Sequence, residues 1–288
     1  MKNFCLQTQD NFTIRGDIYK PDGNIKGGVI INSATAVKKI FYEPFATFLA
    51  NNGFVVLTYD YRGIGSSKPN SPSSEKKLTM NAWGKLDFDA VIQWAKNKFP
   101  QIQWHCVGHS VGGQLVGLAP NNKELESVYC VAAQNGYWKN WRWRDRFRVF
   151  AIWYLLVPFF TKVLGRVPGA LLGGESLPAS IAIEWARWCR HPDFIIDENN
   201  QPIREHFESL YIKMRFLAIS DDFSFAPIKA VKALIGFYRN ADSEYHLVDS
   251  QKISNRNLGH FGFFKRANQD SLWGDALNWL NDDTNQRA

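Results

Sequence analysis

Five apolar runs in this chain are continuous rather than alternating: Gly28 to Asn32, Phe54 to Tyr59, His105 to Val107, Ser127 to Ala132 and Met214 to Ile219. Successive side chains of a strand point to opposite faces, so a strand that is apolar throughout needs cover on both sides. Between these runs lie stretches with apolar residues at helical spacing: Tyr42 to Asn51, Ala82 to Phe99, Gly112 to Ala119 and Pro227 to Arg239. Strands that alternate with helices specify an α/β fold, a mostly parallel central sheet flanked by helices. Phe12 to Tyr19 instead alternates apolar and polar residues and runs into Pro21, Asp22 and Gly23, which predicts an antiparallel edge strand. Tyr245 to Val248 supplies a further, late strand.

The alternation stops from about Trp138 to Leu210, where a Trp-, Arg- and Pro-rich, helix-prone stretch replaces it. This reads as a helical cap, residues 137–210, inserted into a core made of residues 1–136 and 211–288. A chain of 288 residues suits one globular unit with such an insertion. Hydrophobic residues at 45% and charged residues at 21% exclude disordered and fibrous classes. The polar Ser/Pro stretch from Ser66 to Lys77 is expected to be an exposed loop.

A net charge of +7 suits an acidic partner, a nucleic acid or an anionic membrane surface, without establishing one. The densest basic stretch, Trp138 to Arg148, mixes cations with aromatic rings, a composition suited to stacking on bases or sitting at a lipid interface. The rings are expected to pack inward while the arginines stay solvated or cover them, so no nucleic acid is expected as a partner. The most apolar segment, Phe150 to Val157, is interrupted by Pro158 and Lys162 and falls short of the roughly 20 residues a bilayer span needs. It is read as an amphipathic cap helix, and no transmembrane segment is expected. The first ten residues have no apolar leader, and Cys5, Cys106, Cys130 and Cys189 have no metal-type spacing. A reducing cytoplasm and no metal are therefore expected.

Chemistry enters at Gly108-His109-Ser110-Val111-Gly112, directly after a strand-like run. A strand turning sharply into a helix strains its turn residue, and glycines two before and two after remove side chains that would collide there. Ser110 is then held up for attack. The Val111 N–H, first in the following helix, points to where a carbonyl oxygen would become negative. A serine hydroxyl needs a base and an acid to orient it, and on such a sheet the chain order is Ser, acid, His. Asp221 and Asp222 follow the run ending at Ile219, and His260 lies between Gly259 and Gly262 after the last strand. Asp222 is the preferred acid, with its neighbour expected to cap the helix near Pro227. His105 and His109 are read as structural, His191 and His206 fall in the cap, and His246 follows its strand's alternation. The second oxyanion donor is sought in the loop Asn32 to Ala36, and Asp60 with Arg62 reads as a structural turn.

These motifs together, with the Asp60 to Ser66 turn and Gly259-His260-Phe261, resemble the alpha/beta-hydrolase superfamily over nearly the whole chain. Leu177-Pro178, Glu184 to Cys189 and Gly262 to Phe264 resemble more closely a bacterial serine-aminopeptidase-like group within it. The resemblance implies an alpha/beta-hydrolase fold, a triad of Ser110, Asp222 or Asp221, and His260, no cofactor, and a small-molecule ester as substrate. The superfamily often carries His-Gly before its oxyanion loop; here Ser33-Ala34 stands there, and register from Tyr42 favours Thr35 as the donor beside Val111. The expected activity is a carboxylic ester hydrolase acting through an acyl-enzyme on an apolar or aromatic substrate. Thioesterase, lipase-like and acyltransferase chemistry are the enzymatic alternatives, and a ligand receptor on the same scaffold is the non-enzymatic one.

Overall fold

The continuous runs become a sheet buried on both sides. In the computed structural model, which describes residues 1–69, 71, 75–253 and 257–285, the strands are β1 (Lys2–Gln7), β2 (Thr13–Tyr19), β3 (Gly27–Asn32), β4 (Phe54–Asp60), β5 (Trp104–His109), β6 (Leu125–Val131), β7 (Arg166–Val167), β8 (Leu177–Pro178), β9 (Lys213–Ile219) and β10 (Asp242–Val248). Eight of them form one sheet in the order β1-β2-β4-β3-β5-β6-β9-β10. From β4 to β10 every neighbouring pair is parallel. Every residue of β3, β4 and β5 is buried, as helices on both faces require. The alternating strand β2 is antiparallel but is not the edge: β1 pairs outside it from Lys2↔Ile18 to Gln7↔Thr13. Lys2 to Gln7 is too polar to read as a strand by periodicity, and its pairing with β2 supplies the order. Part of the Ser66 to Lys77 loop, residues 70 and 72–74, lies outside the described residues.

This strand order fixes where chemistry can assemble. The chain leaves β3 toward β4 on one side and returns to β5 on the other, so the loops after β3 and β5 open a crevice at the carboxyl ends of two adjacent strands. Asn32, the last residue of β3, lies opposite Gly108 of β5. The Asp60 turn is a framework element. Asp60 accepts the Lys39 and Ser66 amides, and Arg62 pairs with buried Asp87 and with Asp10, each at 2.7 Å.

Between β6 and β9 the chain leaves the sheet. Its main elements are a helix over Trp143–Leu164, the small antiparallel pair β7 and β8, and a helix over Ala179–Arg190. Pro158 does not interrupt the first helix, contrary to expectation. The turns over Ile152–Leu156 are π-type, and this widening just before Pro158 relieves the clash its ring would make with an α-helical carbonyl one turn back. The helix is 22 residues long, with a mean hydropathy of 1.6 over its most apolar stretch. Nor do all the rings of the basic stretch pack inward: Trp141 is buried, but Trp143 and Phe147 are exposed. Glu184 ties this region to the core by accepting the Met80 and Asn81 amides at 2.5 and 3.0 Å.

Candidate active site

Ser110 stands at the tip of β5 with φ 54° and ψ −117°, a left-handed conformation a serine adopts only under compulsion. Its neighbours explain how the turn closes. A Cβ on Gly108 would lie 2.7 Å from the Gly113 backbone, and one on Gly112 would lie 2.3 Å from the Asn32 carbonyl oxygen. The Ser110 amide donates to the Val131 carbonyl at 2.9 Å, pinning the turn to β6. Among the described residues the Ser110 hydroxyl has no hydrogen-bond partner. Val111 begins the next helix, so its N–H has no carbonyl one turn back to accept it.

Asp222 and His260 meet. The loops after β9 and β10 bring His260 Nδ1 to 2.5 Å from Asp222 Oδ2, with both side chains almost fully buried. The other carboxylate oxygen, Oδ1, accepts the Phe225 amide at 3.2 Å. Asp221 does something different: its Oδ1 accepts the Gly259 amide at 3.0 Å and so anchors the residue before the histidine. Neither aspartate caps the helix Ile228–Ile235, whose N-terminus has no side-chain cap; this part of the expectation fails because the histidine loop takes the second carboxylate. Phe225 stacks on the His260 imidazole at 5.0 Å between ring centroids.

His109 is more than a buried spacer. The Ala34 amide donates to the Tyr42 hydroxyl at 2.7 Å, so the hydroxyl proton is free to donate to His109 Nδ1 at 2.8 Å. That fixes the proton of a neutral His109 on Nε2, which donates to the His260 carbonyl at 2.9 Å. Burial, with His260 close by, holds His109 well below the ordinary imidazole pKa. One line of hydrogen bonds therefore joins the loop after β3, the serine turn and the histidine loop. Sequence reasoning missed Tyr42 as its hub, because a tyrosine in an apolar helix-like stretch signals only burial.

The same line distinguishes the amides of the β3 loop. Ala34 spends its N–H on Tyr42, whereas the Thr35 N–H has no partner among the described residues. Thr35 Oγ1 is also buried with no partner among the described residues. Ala36, next in the loop, takes φ 62°, and its carbonyl is held by the Glu175 amide at 2.7 Å. The remaining histidines are otherwise engaged: His105 Nδ1 with Ser127 Oγ inside the sheet, His191 beside Asp193 and His246 beside Glu244, while the carbonyl of His206 accepts from Asn122. Among the described residues no three His, Cys, Asp or Glu side chains gather as a metal ion would need.

Comparison with known proteins agrees with this architecture. A family model described as the alpha/beta hydrolase fold matches residues 29–151. An Escherichia coli protein of 31.7 kDa from the traX-finO intergenic region, itself described as uncharacterized, is 28% identical over 117 residues; the match spans 40% of this chain and 36% of that protein. Among solved structures, an esterase from Exiguobacterium antarcticum superposes with a TM-score of 0.65 at 15% identity, over 96% of this chain and 98% of that one. A soluble variant of the monoglyceride lipase of Saccharomyces cerevisiae gives 0.68 at 14%, over 96% and 95%. A bromoperoxidase from Bacillus anthracis gives 0.59 at 15%, over 98% and 100%. Strand order, serine turn and family model converge on one architecture, and the chain has the alpha/beta hydrolase fold.

Proposed function

We propose that this chain is a serine hydrolase of carboxylic esters, with Ser110 as nucleophile, His260 as base, Asp222 as the acid that orients it, and the Val111 and Thr35 amides as oxyanion donors. The observation that carries the reading is the buried 2.5 Å contact between His260 Nδ1 and Asp222, linked to the strained serine turn through His109, the residue before Ser110, whose Nε2 donates to the His260 carbonyl. The Asp222 carboxylate oxygen accepts from Nδ1 and so holds the imidazole with its proton there, leaving Nε2 to take the hydroxyl proton. The Ser110 oxygen bonds to the acyl carbon as the carbonyl electron pair moves onto oxygen, where two N–H groups stabilise it; each such donor is worth about 100- to 1,000-fold in rate. Collapse expels the alkoxide, which takes the proton from His260, and water repeats the sequence on the acyl-enzyme. The esterases and the lipase that share the fold favour ester chemistry, while the bromoperoxidase is a reminder that the fold alone does not choose it.

Residues 137–210 serve in this reading as a cap over the site. Phe225 on the imidazole and Trp141, whose indole donates to the Ser224 carbonyl at 3.0 Å, give the rim an apolar lining suited to an apolar or aromatic ester. The decisive test is a fluorophosphonate probe. The native chain is expected to be labelled at Ser110, with labelling lost in Ser110→Ala and in His260→Ala. Absence of labelling, where a control esterase reacts, refutes the proposal. Turnover of p-nitrophenyl esters, acyl-CoAs and amides then separates the esterase from thioesterase and amidase chemistry.

A further inference from the structure

Apolar side chains left in water are concentrated on one helix. Of the seventeen exposed large apolar side chains among the described residues, eight lie on Trp143–Leu164. Phe147 is 79% exposed, Trp143 67%, Leu155 61% and Phe159 57%. Scattered singly such residues are ordinary, but a row of them marks an interaction surface. The opposite stripe, Val149, Trp153, Val157 and Thr161 at four-residue intervals, is buried, with Trp153 edge-on to Trp185 of the helix Ala179–Arg190. The helix is therefore fixed along one face and bare along the other.

Charge singles out the same region. Between Tyr137 and Arg190 nine arginines and lysines stand against three carboxylates, so under a fifth of the chain holds six of its seven net positive charges. All three carboxylates are engaged: Asp145 with Arg142, Glu175 with Lys68, and Glu184 with backbone amides. Arg144 and Arg148 are exposed near the start of the helix, and Lys162 and Arg166 lie at its end. Exposed cations beside an exposed apolar, aromatic row match the charge and the apolar contact that an anionic lipid surface offers together.

We propose that this face docks on an anionic phospholipid bilayer, lying on it rather than crossing it. The helix is long enough to span, but its ends are tied to the same molecule, by Trp141 to the Ser224 carbonyl and by Arg166 to Glu75 at 3.1 Å, and its inner stripe is packed. A second copy of the chain would bring two sets of arginines together; a headgroup layer satisfies the cations and the apolar row at once. Docking also brings the loop that carries Asp222 to the lipid. The Arg142 guanidinium lies 4.5 Å from the centre of the Phe223 ring, next to Asp222, in a cleft of about 410 Å³ lined also by Trp143 and Arg146. Resting on the ester hydrolase reading, the substrate class is then an acyl ester drawn from the bilayer rather than from solution.

Flotation of the full chain with phosphatidylcholine vesicles, with or without phosphatidylglycerol, tests this. The wild type is expected to float with the anionic vesicles at low salt and to be released by high salt. Arg144→Glu with Arg148→Glu should weaken binding at least tenfold, at about fivefold for each arginine near the surface. Phe147→Glu with Phe159→Glu should weaken it at least tenfold, with the thermal midpoint and p-nitrophenyl acetate turnover unchanged. No flotation of the wild type, or a phenylalanine pair variant that binds as wild type, overturns the proposal. So does a dimer in light scattering that this pair variant dissociates without any lipid binding. Ser110→Ala is expected to float as wild type; a chain that floats but hydrolyses no ester removes the ester reading and leaves the docking surface standing.

Discussion

Tyr42→Phe tests whether the line of hydrogen bonds through His109 organises the site. Tyr42 is fully buried, and its hydroxyl is both acceptor for the Ala34 amide and donor to His109 Nδ1. Removing one oxygen strands two buried polar groups, each costing about 1–3 kcal/mol, so the expected loss is about 2–6 kcal/mol. Tyr59→Phe is the internal control: that hydroxyl donates a single bond, at 2.7 Å to Asn32 Oδ1, and about 1–3 kcal/mol is expected. Urea unfolding followed by circular dichroism gives both numbers, provided the slope of the transition is unchanged. Catalysis adds a second readout. Ala34 precedes the proposed donor Thr35, and misplacing a catalytic group by about 1 Å costs on the order of 100-fold, so kcat should fall by that order for Tyr42→Phe while KM moves little. A stability change under about 0.5 kcal/mol, smaller than a single buried hydrogen bond, with kcat within twofold of wild type, refutes the reasoning.

Three further outcomes follow from the same geometry. Asp222→Asn should lower kcat for p-nitrophenyl esters by about 10,000-fold, because an amide favours the wrong imidazole tautomer, whereas Asp221→Asn keeps an oxygen for the Gly259 amide and should cost under about tenfold; equal effects would contradict the division between them. His109 binds its proton less readily folded than unfolded, so its contribution to stability is whole above pH about 6.5 and is lost below it at up to about 1.4 kcal/mol per pH unit, a slope in urea midpoints that His109→Gln should remove. Alkylation of the native chain should modify Cys5 alone, since burial raises the Cys106, Cys130 and Cys189 thiols; rapid labelling of more than one thiol before unfolding, read by mass spectrometry, would show the core to be open.

The sheet was legible because strands covered on both faces leave a continuous apolar signature, and β3, β4, β5, β6 and β9 all carry it. The serine turn was legible for a local reason: the glycines at 108 and 112 answer steric demands within a few residues of Ser110. Asp222 and His260 could be named only through chain order, since nothing local to Asp221-Asp222 tells which carboxylate turns toward a loop 38 residues away. Tyr42 was illegible for the same reason at longer range. Its partner His109 lies 67 residues on, and His109 in turn meets the His260 carbonyl 151 residues further. A hydroxyl inside an apolar pattern announces burial; what it bonds to is decided by tertiary structure.

Residues 143–164 fail the same reading for a different reason. The rule that proline ends a helix assumes α geometry up to the proline, and a π turn over Ile152–Leu156 changes that geometry. The rule that apolar residues pack inward assumes that the protein interior is the only apolar phase available. Val149, Trp153 and Val157 obey it, while Phe147, Leu155 and Phe159 do not. A sequence records how much apolar surface must leave water, not which medium receives it. Where the chain covers one stripe of a helix and leaves the other bare between clusters of arginine and lysine, the pattern is consistent with two apolar media at once, and the second lies outside the chain.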